Sequence, residues 1–198
     1  MGTTLLISLY VACELIANVT ASKPVSVFGI AAPGGVFIYA LSFTLIDLIH
    51  EQAGKEGARK VVYAAFAANV LLAMYIVLVI SLPPPPFFAG NEAFRIALGA
   101  TPRVVIASLI AYLISSLIDV QIFAWWKQVI GKHKWARVLA SNAVSTGVDS
   151  VVFVMVAFWG SLPVMPLIAG QYAIKMGVTV ASIPLIYTTG IVQVNEGR

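Results

Sequence analysis

Charge is scarce in this chain: Asp, Glu, Lys and Arg make up 10% of its 198 residues, against about 25% in an ordinary soluble domain. With 60% hydrophobic residues and a mean hydropathy of +0.96, that shortage excludes a soluble catalytic domain and marks an integral membrane protein. Cysteine is nearly missing as well. The single thiol, Cys13, rules out an internal disulfide. Histidine is too sparse for metal chemistry. His50-Glu51-Gln-Ala-Gly54 opens like a zinc-protease helix, but position 54 is not histidine and the only other one is His133. No phosphate-cradling G-x-x-x-x-G-K-[ST] run occurs, so no ATP hydrolysis, metal or cofactor is expected of the chain itself. The first apolar run has no basic n-region and carries Glu14. A cleaved signal peptide is therefore not expected, although Val19-Thr-Ala21 resembles a cleavage site.

What is present is long apolar sequence. Runs fall at about 3–22, 33–50, 61–82, 103–126, 138–160 and 164–192. Each is near the ~20 residues that a helical span needs. Six spans with short loops nearly fill the chain, leaving no room for a soluble catalytic or nucleotide-binding domain. The expectation is an all-α integral membrane protein, one domain over 1–198, with six transmembrane helices in one bundle. Basic residues set its orientation. Lys55, Arg59 and Lys60 follow the second run, Lys127, Lys132, Lys134 and Arg137 follow the fourth, and Arg198 ends the chain. Only Lys23, Arg95 and Arg103 fall on the other side. The positive-inside rule then places both termini in the cytoplasm of a multi-pass protein of the cytoplasmic membrane. The net charge of +4 reflects these loops and does not imply nucleic-acid binding.

Two connections are unusual. Residues 22–33 are too apolar for a free loop and are expected to form a broken or re-entrant piece, tolerated where protein or a cavity lines it. Pro83 to Pro86 end a helix and stiffen the chain, and Phe87, Phe88, Phe94 and Ile96 after them suit an interfacial anchor or a lid. Trp125, Trp126 and Trp135 beside the basic loop suit the cytoplasmic interface.

The few intramembrane charges are the pointer to function. Thr44-Leu-Ile-Asp47, Ser116-Leu-Ile-Asp119 and Thr146-Gly-Val-Asp149 each set a carboxylate three residues after a hydroxyl, on one helix face. Glu14 sits inside the first run. A charge in hydrocarbon costs at least ~2.5–3.5 kcal/mol. Polar stripes accompany these acids: Tyr10, Glu14 and Asn18; Thr44, Asp47 and Glu51; Ser108, Tyr112, Ser115 and Asp119; Asn142, Ser145, Thr146 and Asp149; Gln171, Lys175, Thr179 and Ser182. Such stripes are expected to face one another or water. Hydroxyls alone say little, since on membrane helices they usually bond backbone. By the helical rise, Asp149 lies roughly 18 Å from the cytoplasmic interface and Asp119 about 12 Å. Glu14 and Lys175 fall near mid-bilayer, so these four can converge on one cavity. Asp47 and Glu51, near the cytoplasmic end, suit gating or an inner rim. One lysine cannot neutralise three acids, which favours a ligand role for some of them. A paired-aspartate intramembrane protease is the enzyme alternative. Its Tyr-Asp and Gly-x-Gly-Asp flanks are missing here, so no enzyme is expected.

The pattern resembles a known family. Asn18-Val-Thr-Ala-Ser-Lys23-Pro-Val-Ser-Val-Phe28-Gly29, then Pro33-Gly-Gly35, Phe43, Asp47, Glu51, Gly54 and Ala58-Arg59 are similar to the N-terminal half of the queuosine precursor transporter family, also called the vitamin uptake transporter family. Ala111-Tyr112, Asp119-Val120, Phe123, Lys127, Trp135-x-Arg137, Ser141, Ser145, Asp149-Ser150, Phe153 and Lys175 resemble its second half. The family pattern carries a glutamine three residues before each later aspartate, where this chain has Ser116 and Thr146, and Asn142 replaces a more usual threonine.

The resemblance implies uptake of 7-deazaguanine precursors of queuosine, in 7-cyano or 7-aminomethyl form, or of archaeosine in an archaeon. It also implies a fold similar to the six-helix substrate-binding components of energy-coupling-factor transporters. The residues suit that ligand chemically. A 7-deazaguanine presents N1–H and a 2-amino group side by side, which one carboxylate accepts in a bidentate pair. Asp119 or Asp149 is expected to read that edge. Asn18, Gln171, Lys175 and Asn142 would supply donors or charge balance, with Glu14 a proton-linked or structural partner. Tyr112, Phe123, Phe153 and Tyr172 are available as a ring wall. The partners expected are a small-molecule deazapurine base and the bilayer, with no nucleic acid. A homo-oligomer or an energising module is left open, Ala17-x-x-x-Ala21 and Ala64-x-x-x-Ala68 being close-packing faces common to any membrane bundle. The alternatives are uptake of another vitamin or purine-like base, or a non-transporting membrane scaffold.

Overall fold

Helix α1, Thr3–Thr20, buries Leu6, Tyr10, Cys13, Glu14, Ala17 and Asn18, which recur at helical spacing along one face. Leu5, Leu9 and Ile16 point outward from the opposite face. The computed structural model describes residues 2–129 and 134–188, with the backbone alone at 47, 51, 119–120, 123–129, 134–142 and 182–188. After α1 comes an antiparallel hairpin, β1 (Pro24–Val27) with β2 (Ile30–Pro33), in the register Pro24↔Pro33 and Val27↔Ile30. The segment expected to be a broken or re-entrant piece is therefore a hairpin. The reason is local: Pro33 keeps a helix from running through this segment, the Phe28-Gly29 pair turns the chain, and Val25, Val27 and Ile30 favour extended backbone. Its two-residue turn, Phe28-Gly29, has φ of 53° and 79°, the left-handed pair of a type I′ turn.

Helix α2, Val36–Ser81, is 46 residues long and is broken at Gly54, where φ is 70° and ψ is 178°. Its contacts with α1 show that it folds back there. Gly35, just before it, lies against the Ala17 carbonyl near the far end of α1. At residue 52 it has reached the beginning of α1, where the Thr3 hydroxyl donates to Gln52 at 2.9 Å. Ala58, Val61, Val62 and Ala65 then pack with Leu6, Tyr10 and Cys13, and at residue 69 it is again beside Asn18. Glycine suits the reversal because a side chain at that φ is strained.

The short α3, Asn91–Leu98, follows the proline run and buries none of its residues. Sequence patterning missed it because eight residues are too few for a span. Helices α4 (Thr101–Val129), α5 (Lys134–Phe158) and α6 (Val164–Thr188) complete the bundle. Arg103 ties α4 to the end of α5: its Nε donates to the Val156 carbonyl at 2.7 Å and a terminal nitrogen to that of Trp159 at 2.8 Å. These carbonyls lie where a helix end leaves its acceptors unpaired, and a cation there complements the helix dipole. Among the described residues, Thr3–Thr20, Gln52–Ser81, Asn91–Ile118 and Val164–Ala181 are long and apolar enough to cross a membrane, with Val36–His50 and Ala143–Phe158 shorter apolar helices. The all-helical membrane class holds, with the hairpin as its one departure among the described residues.

Hairpin and bundle are joined by two backbone approaches that only glycine permits. A Cβ on Gly35 would collide with the Ala17 carbonyl oxygen, and one on Gly170 with that of Ala31. β2 is thereby pressed onto α6, and Ala32 is fully buried.

Candidate substrate-binding site

These approaches bring six elements around one cavity of about 380 Å³, part of it open to the outside. Ala17, Asn18 and Ala21 of α1 form one wall, and Pro33 and Gly35 come from the hairpin and the turn after it. Val36 and Tyr39 of α2, Ser108 of α4, Asp149 and Phe153 of α5, and Gln171 and Lys175 of α6 close the rest. The position of the cavity follows from the small residues: Ala17 and Ala21 leave space that larger side chains would fill, and Gly35 lets the chain after the hairpin close against α1.

The electrostatic centre is an ion pair between Lys175 and Asp149, which joins α6 to α5. Both side chains are largely buried, at 7% and 14% exposure. The ammonium also sits 4.7 Å from the ring centroid of Tyr39, a cation–π contact that gains strength when desolvated. Tyr39 in turn meets Phe43 edge-on, with centroids 5.1 Å apart. The Asn18 amide donates to Asn69 Oδ1 at 2.7 Å, and the Asn69 amide donates to the Ala65 carbonyl at 2.9 Å. Asn18 is thereby held in one orientation at the cavity wall.

The expected site residues thus fall into groups. Asp149, Lys175, Asn18 and Gln171 share the cavity, as does Phe153. Glu14 is buried one helical turn along α1 from Asn18, just outside the lining. Tyr112 is not in the lining. Its ring packs edge-on against Phe66 at 4.9 Å, beside the Leu6–Tyr10–Ile49 cluster. Tyr172 lies next to Gly147. The side chains of Asp119, Asn142, Asp47, Glu51 and Phe123 lie outside the described residues. Thr44, placed on an inward polar stripe by its spacing, is instead exposed, while Ser42, Leu45 and Ile49 carry the buried face. The reason is azimuth: the fold-back at Gly54 turns the 42, 45 and 49 row toward α1. Ser115 and Ser116 donate to the Tyr112 and Leu113 carbonyls, the backbone bonding usual for hydroxyls on membrane helices. Tyr39 was missed. Its only signal is a polar aromatic one turn before Ser42 on an apolar helix.

The geometry gives a helix bundle with a buried Lys–Asp pair beside a cavity, and comparison with known proteins decides the family. The family model described as "Putative vitamin uptake transporter" matches residues 33–189. The chain belongs to that family. Members of the vitamin uptake transporter family are transporters and not enzymes. The chain is 29% identical over 187 residues to a "Probable queuosine precursor transporter" of Bacillus subtilis (strain 168), covering 92% of this chain and 82% of that one. It is 25% identical over 145 residues to the "Queuosine precursor transporter" of Escherichia coli (strain K12), covering 73% of this chain and 63% of that one. With a "Probable queuosine precursor transporter" of Haemophilus influenzae (strain ATCC 51907 / DSM 11121 / KW20 / Rd) the identity is 26% over 148 residues, 75% of this chain and 61% of that one. No solved structure gives a significant match.

Proposed function

We propose that this vitamin uptake transporter imports a 7-deazaguanine precursor of queuosine or archaeosine across the cytoplasmic membrane, with Asp149 reading the base. The names of the relatives point to the substrate class. One observation supports the residue: Asp149 is a largely buried carboxylate on the cavity wall, beside donors from Gln171 and Asn18 and rings from Tyr39 and Phe153. A carboxylate accepts N1–H and the 2-amino group together. Asn18 or Gln171 suits O6, and the two rings suit the flat faces of the base.

On this reading the bundle crosses six times with both termini in the cytoplasm, as in the substrate-binding components of energy-coupling-factor transporters. The cavity then lies in the outer half. Supporting this are Lys55, Arg59 and Lys60 at the Gly54 turn, at the end of the bundle away from the hairpin. Lys175 is 11 residues into α6 from Val164, roughly 16 Å along its axis, so the cavity reaches about mid-bilayer.

The test is uptake of radiolabelled 7-cyano-7-deazaguanine by cells expressing the chain. Asp149→Asn should abolish saturable uptake while the amount of protein in the membrane is unchanged. Normal uptake by that variant removes Asp149 from the site. Competition by unlabelled purines or vitamins, and not by deazaguanines, would assign a different ligand.

A further inference from the structure

One ammonium in this bundle faces two acids. Lys175 is bonded to Asp149, and its ammonium lies over the Tyr39 ring. Glu14, only 8% exposed, lies within electrostatic reach of both Lys175 and Asp149, with the Ser42 hydroxyl beside it. The Ser42 hydroxyl, which reaches the Tyr39 carbonyl at 2.7 Å, is also within hydrogen-bond reach of Glu14. The titratable and charged groups that face Glu14 are Tyr10 and Cys13 of its own helix, Tyr39 of α2, Tyr112 of α4, Asp149 of α5 and Lys175 of α6. Lys175 is the sole cation in that described set.

The proposed function has a consequence for this arrangement. A base that presents two N–H donors to Asp149 engages both carboxylate oxygens, Oδ2 included, and so competes there with Lys175. The displaced ammonium cannot stay unpaired in a low-dielectric interior, where burying an uncompensated charge is strongly unfavourable. Tyr39 lies beside the ammonium and within electrostatic reach of both acids, and offers a ring face along which the cation stays stabilised. We propose that ligand binding at Asp149 hands Lys175 over to Glu14, which serves as a second seat for the cation. Glu14 is then a positioning residue, acting on the ligand through Lys175 and never touching it. This explains why a buried acid stands beside the cavity without lining it. The inference rests on the reading of Asp149 as the carboxylate that binds the base.

The test is a double-mutant cycle on the purified full chain, with calorimetric binding of 7-cyano-7-deazaguanine, a neutral probe that brings no cation of its own. Glu14→Gln should weaken binding about tenfold or more, because the displaced lysine loses its seat. Glu14→Asp should recover a substantial part of that loss. In a Lys175→Gln background, which keeps a hydrogen-bond donor for Asp149 and so guards the fold, Glu14→Gln should have no further effect. A thermal melt of each variant confirms that it is folded. If Glu14→Gln weakens binding equally in both backgrounds, Glu14 touches the ligand and the handover is wrong. Unchanged binding in the Glu14→Gln single variant also overturns it. Failure of the wild-type chain to bind the probe would instead remove the proposed function.

Discussion

The two ends of the bundle are built differently. At the Gly54 end, Leu6, Tyr10, Cys13, Leu45, Ile49, Ala58, Val61, Val62 and Ala65 form an apolar cluster, with Lys55, Arg59 and Lys60 exposed at and after the turn. At the hairpin end, a second cluster of Ala21, Val104, Ala107, Val154, Ala157, Phe158 and Leu167 is rich in alanine and valine. There the backbones meet directly, through Gly35 on Ala17 and Gly170 on Ala31, and the polar cavity opens beside them. Large side chains fill space at one end, and small ones let backbones touch and leave a void at the other. The lesson concerns where a site can form: a ligand cavity needs walls set by rigid backbone contacts, not by side chains that relax into it.

That contrast can be broken at its strongest point by Gly170→Val. A side chain there would meet the Ala31 carbonyl, a backbone atom that cannot swing aside, so the hairpin must leave α6. The expected loss exceeds the ~1–3 kcal/mol usual for overpacking, and binding of 7-cyano-7-deazaguanine should vanish with it. A variant that melts and binds like wild type would show that the hairpin does not set the cavity wall. At the other end, Leu6→Ala removes a side chain only 1% exposed. It should cost ~2–5 kcal/mol of stability, measured by unfolding in detergent, while the affinity of the folded protein stays at the wild-type value. A parallel fall in affinity would mean that the ends are not independent. The smallest effect is expected at the hairpin tip. Phe28 is fully exposed at φ 53°, a conformation that asparagine tolerates better. Phe28→Asn should raise the melting temperature by a few degrees without altering affinity, and a lower melting temperature would show that the phenyl ring is held by something the exposed tip does not reveal.

Much of this could be read along the chain, and the misses have physical causes. The stripe Tyr10, Glu14 and Asn18 is buried as its spacing implied, because α1 is straight and a period of four stays on one face. Thr44 was misplaced because a stripe has no absolute azimuth until a neighbouring helix supplies one. The hairpin could be suspected from Pro24 and Pro33, yet so apolar a stretch between two spans reads equally well as a re-entrant piece. Tyr39 gave almost no signal, since a lone tyrosine on an apolar helix reads as packing. Asn69 found its purpose only when α2 returned alongside α1 to meet Asn18.

Membrane residence and helical class were determined by the sequence itself. They depend on composition and on local period, and the unfavourable burial of charge in hydrocarbon acts wherever the helices come to lie. The tertiary structure decided which charges meet. That Lys175 pairs with Asp149 while Glu14 waits beside the cavity depends on the fold-back at Gly54 and on two glycines that let backbones touch. Coulomb interactions in a low-dielectric interior are steep over a few ångströms, so the partnership is settled by helix azimuth and depth, which no single run of residues carries.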